Sequence, residues 1–347
     1  MGGKAIKKVI CNRLSKEKYL TISSQILQLL QNTSIQAILP RIIPEKDSFG
    51  DIDILIDSQT NNLHNWIIEH YQPIEIVHNP NSFSFTYWDQ EIVDTRTYYQ
   101  IDFILVENIY SAQFFFSYGD IGVIIGKFMG YHGITFSDKG LLIKVRADLL
   151  NYPNLALSYL SNDQTFVYEQ ILLTSNVIDS CKFMGLNYEE WLSFTSIHDI
   201  YKWLITSHYY TIDAFQFVKM EKRKKLGDRP LYRNFLTYIG ITDYANENNY
   251  IYNTQLIANQ YNLLLQYNKM NLLEKIRRIC QLQFERKQKF HAQLFLRYGI
   301  KQLDLTKTIS IFKKTMKQSN NNFDDWIDNH TNDEIDQIIH DFCQQSH

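Results

Sequence analysis

KDSFGDIDILID, residues 46–57, runs from a turn into a strand. Gly50 makes the tight turn, and Asp51 and Asp53 stand two apart as the Ile52, Ile54, Ile56 alternation begins. Residues i and i+2 of a strand project from one face, so both carboxylates point the same way while Ile52 and Ile54 point into a core. Asp102 lies in YYQIDFILVE (98–107), flanked by Ile101 and Phe103, where a strand otherwise takes an apolar side chain. If the two strands are neighbours, a spacing of about 4.8 Å brings the third carboxylate beside the pair. Three clustered carboxylates repel, and burial raises the cost, unless protons or cations neutralise them. Mg²⁺, or Mn²⁺ in its place, suits such a set because it takes carboxylate oxygens together with substrate phosphates. The structural alternative for Asp102 is an Arg or Lys partner.

Working outward, β-branched and aromatic runs at 74–78, 83–88 and 97–106 read as further strands, with HNPNS as the turn between the first two. A helix over 62–71 carries Leu63, Trp66, Ile67 and Tyr71 on one stripe, and another near 17–31 precedes the first strand. ITFSDKGLLIKV (134–145) reads as a hairpin with Gly140 at a position suited to positive φ, and 165–174 as a last strand. After about residue 175 the period turns helical. Ser196 and Asp199 have the spacing of a capping box, and helices are expected at 254–269, 271–298, 305–317 and 332–343. The expected fold is α+β: a mixed sheet with flanking helices over 1–175, then an all-helical domain over 176–347.

Composition narrows the class without naming a ligand. With 347 residues, 45% hydrophobic and 21% charged, the chain reads as one or two ordinary globular domains. Net charge is −2, so any nucleic-acid contact must come from a local patch. Cys11, Cys181, Cys280 and Cys343 are far apart and form no C-x-x-C pair, which argues against a disulfide framework or zinc site and fits a cytoplasmic protein. No apolar run reaches the roughly 20 residues that span a bilayer, no secretory leader is expected, and Ile6 stands where a myristoylation signal wants Ser or Thr.

FGDIDILID and QIDFILV resemble the paired and third aspartates of the nucleotidyltransferase superfamily typified by DNA polymerase beta, poly(A) polymerases and tRNA nucleotidyltransferases. The resemblance covers roughly residues 20–108 and extends weakly to RPLYRNFLTYI and FLRYGIKQLDLTKTISIFKK in the rear half. It implies that Asp51 and Asp53 bind two metal ions, and that Asp102 binds the ion at the attacking hydroxyl and serves as its base. The implied activity is transfer of a nucleoside monophosphate from an NTP to an acceptor hydroxyl with release of pyrophosphate. One departure stands out: the family carries a Gly-Ser pair about ten residues before the aspartates, and this chain reads ILPRIIPEKDSFG. Phosphate anchoring then falls to Lys46, Ser48 and the backbone N–H groups around Phe49 and Gly50.

EKRKKLGDRPLYR (221–233) concentrates Lys222, Arg223, Lys224, Lys225, Arg229 and Arg233 against Glu221 and Asp228, with Tyr232 placed to stack on a base. The plain reading is a solvated loop. A second basic group, including Lys275, Arg277, Arg278, Arg286, Lys287 and Lys289, falls on one expected helix and reads more readily as a solvated face. GDIGVIIGKFMG (119–130) fails as a P-loop, because the glycine spacing is wrong and Phe128 replaces the Mg²⁺-binding Ser or Thr; Asp120 reads as a helix N-cap. An RNA 3′ end is the favoured acceptor. The alternatives are an inactive nucleic-acid-binding or scaffold protein on the same fold, or nucleotide transfer to a protein or small molecule.

Overall fold

The computed structural model describes residues 5–345 except 90–96, 120, 154, 156, 164, 217–228, 242–253, 320 and 321. The chain divides into two units, one of residues 1–145 and 170–267, the other of residues 146–169 and 268–347. The boundary expected at residue 175 falls inside the first unit. A single change of periodicity does not reveal that the segment 146–169 leaves the first unit and that the chain then returns to it.

The first unit begins with β1 (Leu14–Ser15), α1 (Lys16–Asn32), β2 (Ala37–Ile38), β3 (Ser48–Phe49) and β4 (Ile52–Asp57). Next come α2 (Leu63–Tyr71), β5 (Ile76–Asn79), β6 (Ser82–Asp89) and β7 (Thr97–Val106). Five of these strands form one sheet in the order β2-β4-β7-β6-β5. β4 and β7 run parallel and the other pairings are antiparallel, so the sheet is mixed as expected. Residues 80 and 81 close the tight β5–β6 hairpin, in which Asn79 pairs with Ser82.

One face of this sheet is sealed by helices. Ser15 caps α1 by accepting from the Lys18 N–H at 3.2 Å, and Ile22, Ile26 and Leu30 follow at helical spacing into the core. They meet Ile52, Ile54 and Ile56 of β4, Ile101 and Phe103 of β7, and Leu63 and Ile67 of α2. Alternation therefore sends Asp53 and Leu55, with Asp102 and Val106, to the opposite face. There Leu55 and Val106 pack with Ile109 and Ala112 of α3 (Ile109–Phe116). The two carboxylates thus stand at the end of an apolar patch.

α4 (Ile121–Tyr131) is a buried helix through Ile121, Ile124, Ile125, Phe128 and Met129, which fits the rejection of GDIGVIIGKFMG as a phosphate loop. Asp120 lies outside the described residues. β8 (Thr135–Ser137), β9 (Gly140–Val145) and β10 (Glu169–Thr174) make a second sheet in the order β10-β9-β8. Gly140 has φ +112°, and a Cβ there would overlap the Thr174 carbonyl, so both backbone conformation and space require glycine. The capping box forms as expected at Ser196 and Asp199, opening the helix Ile197–Ile205.

The second unit is mostly helical. The single helix expected over 271–298 is two, Met270–Lys289 and Ala292–Arg297, because Phe290 and His291 are extended. That break turns the Phe290 ring onto Phe312, at 5.6 Å between centroids, and onto Phe323, at 5.0 Å. Arg277 is buried and donates to the carbonyls of Leu150 (2.7 Å), Leu149 (3.3 Å) and Tyr152 (2.6 Å). Arg286 is bound to Asp324 and Asp328, and Lys289 donates to the Ile327 and His330 carbonyls. Half of the basic group expected on a solvated face is therefore structural. Among the described residues no helix is long and apolar enough to cross a membrane.

Candidate metal centre

The parallel register sets Asp53 directly beside Asp102. With both side chains on the same face, and Asp51 one alternation earlier, the three carboxylates each offer an oxygen within 4.8 Å of the others. All three are half-buried. The triad expected from spacing alone is thus assembled by strand pairing. Hard oxygen donors converging at this distance suit Mg²⁺ or Mn²⁺ and would be a poor set for a soft thiophilic ion.

Electrostatics follow from the crowding. Burial, then the charges of Asp51 and Asp102, push Asp53 up from 3.8 to about 8, with Lys46 pulling the other way. Burial also leads at Asp102, which rises to about 6 because the Asp51 charge adds to it, while hydrogen bonds from Ser84 and Gln100 oppose the rise. Burial, then the charges of Asp53 and Asp51, push the Tyr19 phenol well above its usual value. Asp53 and Asp102 hold protons more tightly than free carboxylates do, as is expected where positive charge is short.

Several neighbours escaped the sequence reading. Gln100 is buried, and its amide nitrogen donates to both oxygens of Asp102 at 2.9 and 3.0 Å. Its carbonyl accepts from the backbone N–H groups of Ala5 (3.0 Å) and Ile6 (3.4 Å), which fixes the amide's orientation. Ser84 pairs across from Asp102 on β6 and shares its face. The signal was present, since Gln100 precedes Asp102 by two residues of a strand and must share its side.

The expected phosphate anchors are distributed differently. Lys46 is exposed, with its ammonium 4.4 Å from the centre of the Phe49 ring. Phe49 and Gly50 are buried, and Phe49 stacks on Tyr19 at 4.1 Å. Ser48 is exposed but engaged: its hydroxyl accepts from Arg13 Nε at 2.8 Å and its carbonyl from Arg13 Nη2 at 3.0 Å. A cleft lies against two members of the triad, lined by Asp51 and Asp53 with Arg41, Ile43, Lys46 and Gly119 among others. Arg41, in the irregular stretch before the aspartates, is the cation that periodicity offered no means of finding.

The basic stretch is only partly described. Lys222, Arg223, Lys224 and Lys225 lie outside the described residues. Arg229 and Arg233 are exposed, at the cap and on the first turns of the helix Pro230–Tyr238. Tyr232 is a correction: it is fully buried, 6.4 Å from the Phe215 ring, and offers no open face to a base. Leu231, Tyr232, Phe235 and Leu236 form the inward stripe of that helix. No protein-family model matches the chain, and no curated protein does.

Proposed function

We propose that the chain is a metal-dependent nucleotidyltransferase, moving a nucleoside monophosphate from an NTP to an acceptor hydroxyl, with an RNA 3′ end as the favoured acceptor. The observation that carries this reading is the register of Asp53 against Asp102, with Asp51 within 4.8 Å of both. Its further support is the resemblance of the two aspartate-bearing segments to those of that superfamily. In the reaction an acceptor oxygen bonds to the α-phosphorus, the α–β bridging P–O bond breaks, and pyrophosphate departs with the electron pair.

Asp51, Asp53 and Asp102 would hold the divalent cation, which when bound supplies Lewis-acid neutralisation of phosphate charge and acidifies a coordinated hydroxyl. Asp102 is the residue suited to receive the acceptor's proton. In the ion-free site burial raises it to about 6, and a bound cation would keep it ionised and ready to accept a proton. Gln100 holds both of its oxygens, so its approach to the hydroxyl is set before substrate arrives. The apolar patch of Leu55, Val106 and Ile109 beside the carboxylates lowers the local dielectric, which strengthens each charge interaction.

The test is incubation with labelled NTPs, Mg²⁺ or Mn²⁺ and mixed RNA. Label should join RNA, and Asp102→Asn should cut turnover at least about 100-fold with the melting temperature retained. Label on the protein itself would redirect the reading to protein nucleotidylation. RNA binding that survives loss of all three aspartates, with no transfer by the native chain, would replace it with a scaffold role.

A further inference from the structure

The cleft beside the triad has an unusual opposite wall. Residues 40–46 contain no regular structure, yet they are pinned along their length. The Arg41 N–H donates to Ser117 Oγ at 2.9 Å, and its carbonyl accepts from the Tyr118 N–H at 2.7 Å. Lys16 Nζ donates to the Pro44 carbonyl at 2.6 Å, and Glu45 accepts from the Ile197 N–H at 2.8 Å. This rigid segment presents two cations, Arg41 and Lys46, to a cleft whose other lining residues include Asp51 and Asp53.

Arg41 is incompletely satisfied. Its Nη1 donates to the Leu192 carbonyl at 3.1 Å, its guanidinium lies 5.0 Å from the centre of the Trp191 ring, and it interacts with the Tyr118 hydroxyl. Its Nε–H is buried without a hydrogen-bond partner. A guanidinium carries five donors in a planar fork shaped for phosphate or carboxylate oxygens, and leaving one buried and unmade is costly. A site with carboxylates for a divalent cation on one wall and fixed cations on the other suits a ligand that is itself a chain of negative charge.

We propose that Arg41, with Lys46, clamps the polyphosphate tail of the nucleotide and so takes the place of the absent Gly-Ser pair. The identity of that ligand rests on the nucleotidyltransferase reading; the clamp itself rests on the cleft. Arg41 supplies the planar fork and Lys46 a point charge, while the pinned segment removes the ordering cost of bringing them together.

The probe is inorganic tripolyphosphate, titrated calorimetrically into the full chain loaded with Mn²⁺. Arg41→Gln should weaken tripolyphosphate binding about 10- to 100-fold, as expected for loss of a charge-assisted hydrogen bond. Mn²⁺ affinity, read separately by electron paramagnetic resonance, should stay within about twofold, because Arg41 contributes no ligand to the ion. Arg41→Lys should recover part of the loss. Equal tripolyphosphate affinity in Arg41→Gln, even with a lowered melting temperature, would overturn the clamp and leave Arg41 as a brace for Leu192. If Arg41→Gln does not fold, the Arg41 Nε–H resonance of the native chain decides: movement on adding tripolyphosphate supports the clamp, and a fixed resonance refutes it. An Arg41-dependent affinity in a chain that transfers no nucleotide would sink the transferase reading and keep the clamp.

Discussion

Asp53→Asn should make the metal-free protein more stable at pH 8, although it removes a residue proposed to be essential. Asp53 is raised from 3.8 to about 8, so between those values the folded chain holds a proton that the unfolded chain has released. Stability then falls as pH rises, at about 1.4 kcal/mol per pH unit, for an upper limit of about 6 kcal/mol by pH 8. The carboxyl keeps a half-exposed edge, so solvent screening reduces the expected gain from Asp53→Asn to about 1–3 kcal/mol. For a unit of this size each kcal/mol moves the melting temperature by about 2–4 °C. The assay is thermal melting at pH 8 and at about pH 4, in chelator and in excess Mg²⁺. In chelator at pH 8 the variant should melt higher; near pH 4 the native side chain is protonated and the difference should vanish. Mg²⁺ at about 100 times its dissociation constant should raise the native melting point by about 2.7 kcal/mol equivalent and leave the variant nearly unmoved. A variant that is less stable at pH 8 in chelator would refute the reasoning, since it would mean that the Asp53 carboxylate is held by a structural partner.

Two other perturbations test the surroundings. Lys46→Met removes the charge that pulls Asp53 down, so proton release shifts to higher pH; because the same charge repels a divalent ion more than a proton, Mn²⁺ binding should strengthen roughly two- to tenfold in a calorimetric titration; unchanged affinity would remove Lys46 from the site. Arg277→Met should lower the stability of the second unit by about 3–5 kcal/mol in urea melts, because the Leu149, Leu150 and Tyr152 carbonyls lose their donor; a loss below about 1 kcal/mol would show that water replaces the guanidinium.

Much of the site was legible because strand parity is a strict rule. Alternation in β4 and β7 placed Asp51, Asp53 and Asp102 relative to their own cores, and only the pairing of the two strands had to be supplied by the fold. Arg41 and Arg13 were not legible, since both act from irregular backbone where no period relates a residue to the site. Tyr232 was misread because a basic neighbourhood suggested a base platform, whereas its spacing to Phe235 and Leu236 already marked an inward stripe. The break at Phe290 had no Gly or Pro to announce it; it follows from long-range demand for that ring beside Phe312 and Phe323.

The metal centre stands or falls on what occupies the three carboxylates. Crystals soaked in MnCl₂ near pH 8, with diffraction recorded at the manganese edge, should show an anomalous peak bonded to Asp51, Asp53 and Asp102 that Asp53→Asn crystals lack. A triad free of anomalous density in the native chain, with the Lys46 ammonium seated among the carboxylates, would contradict it.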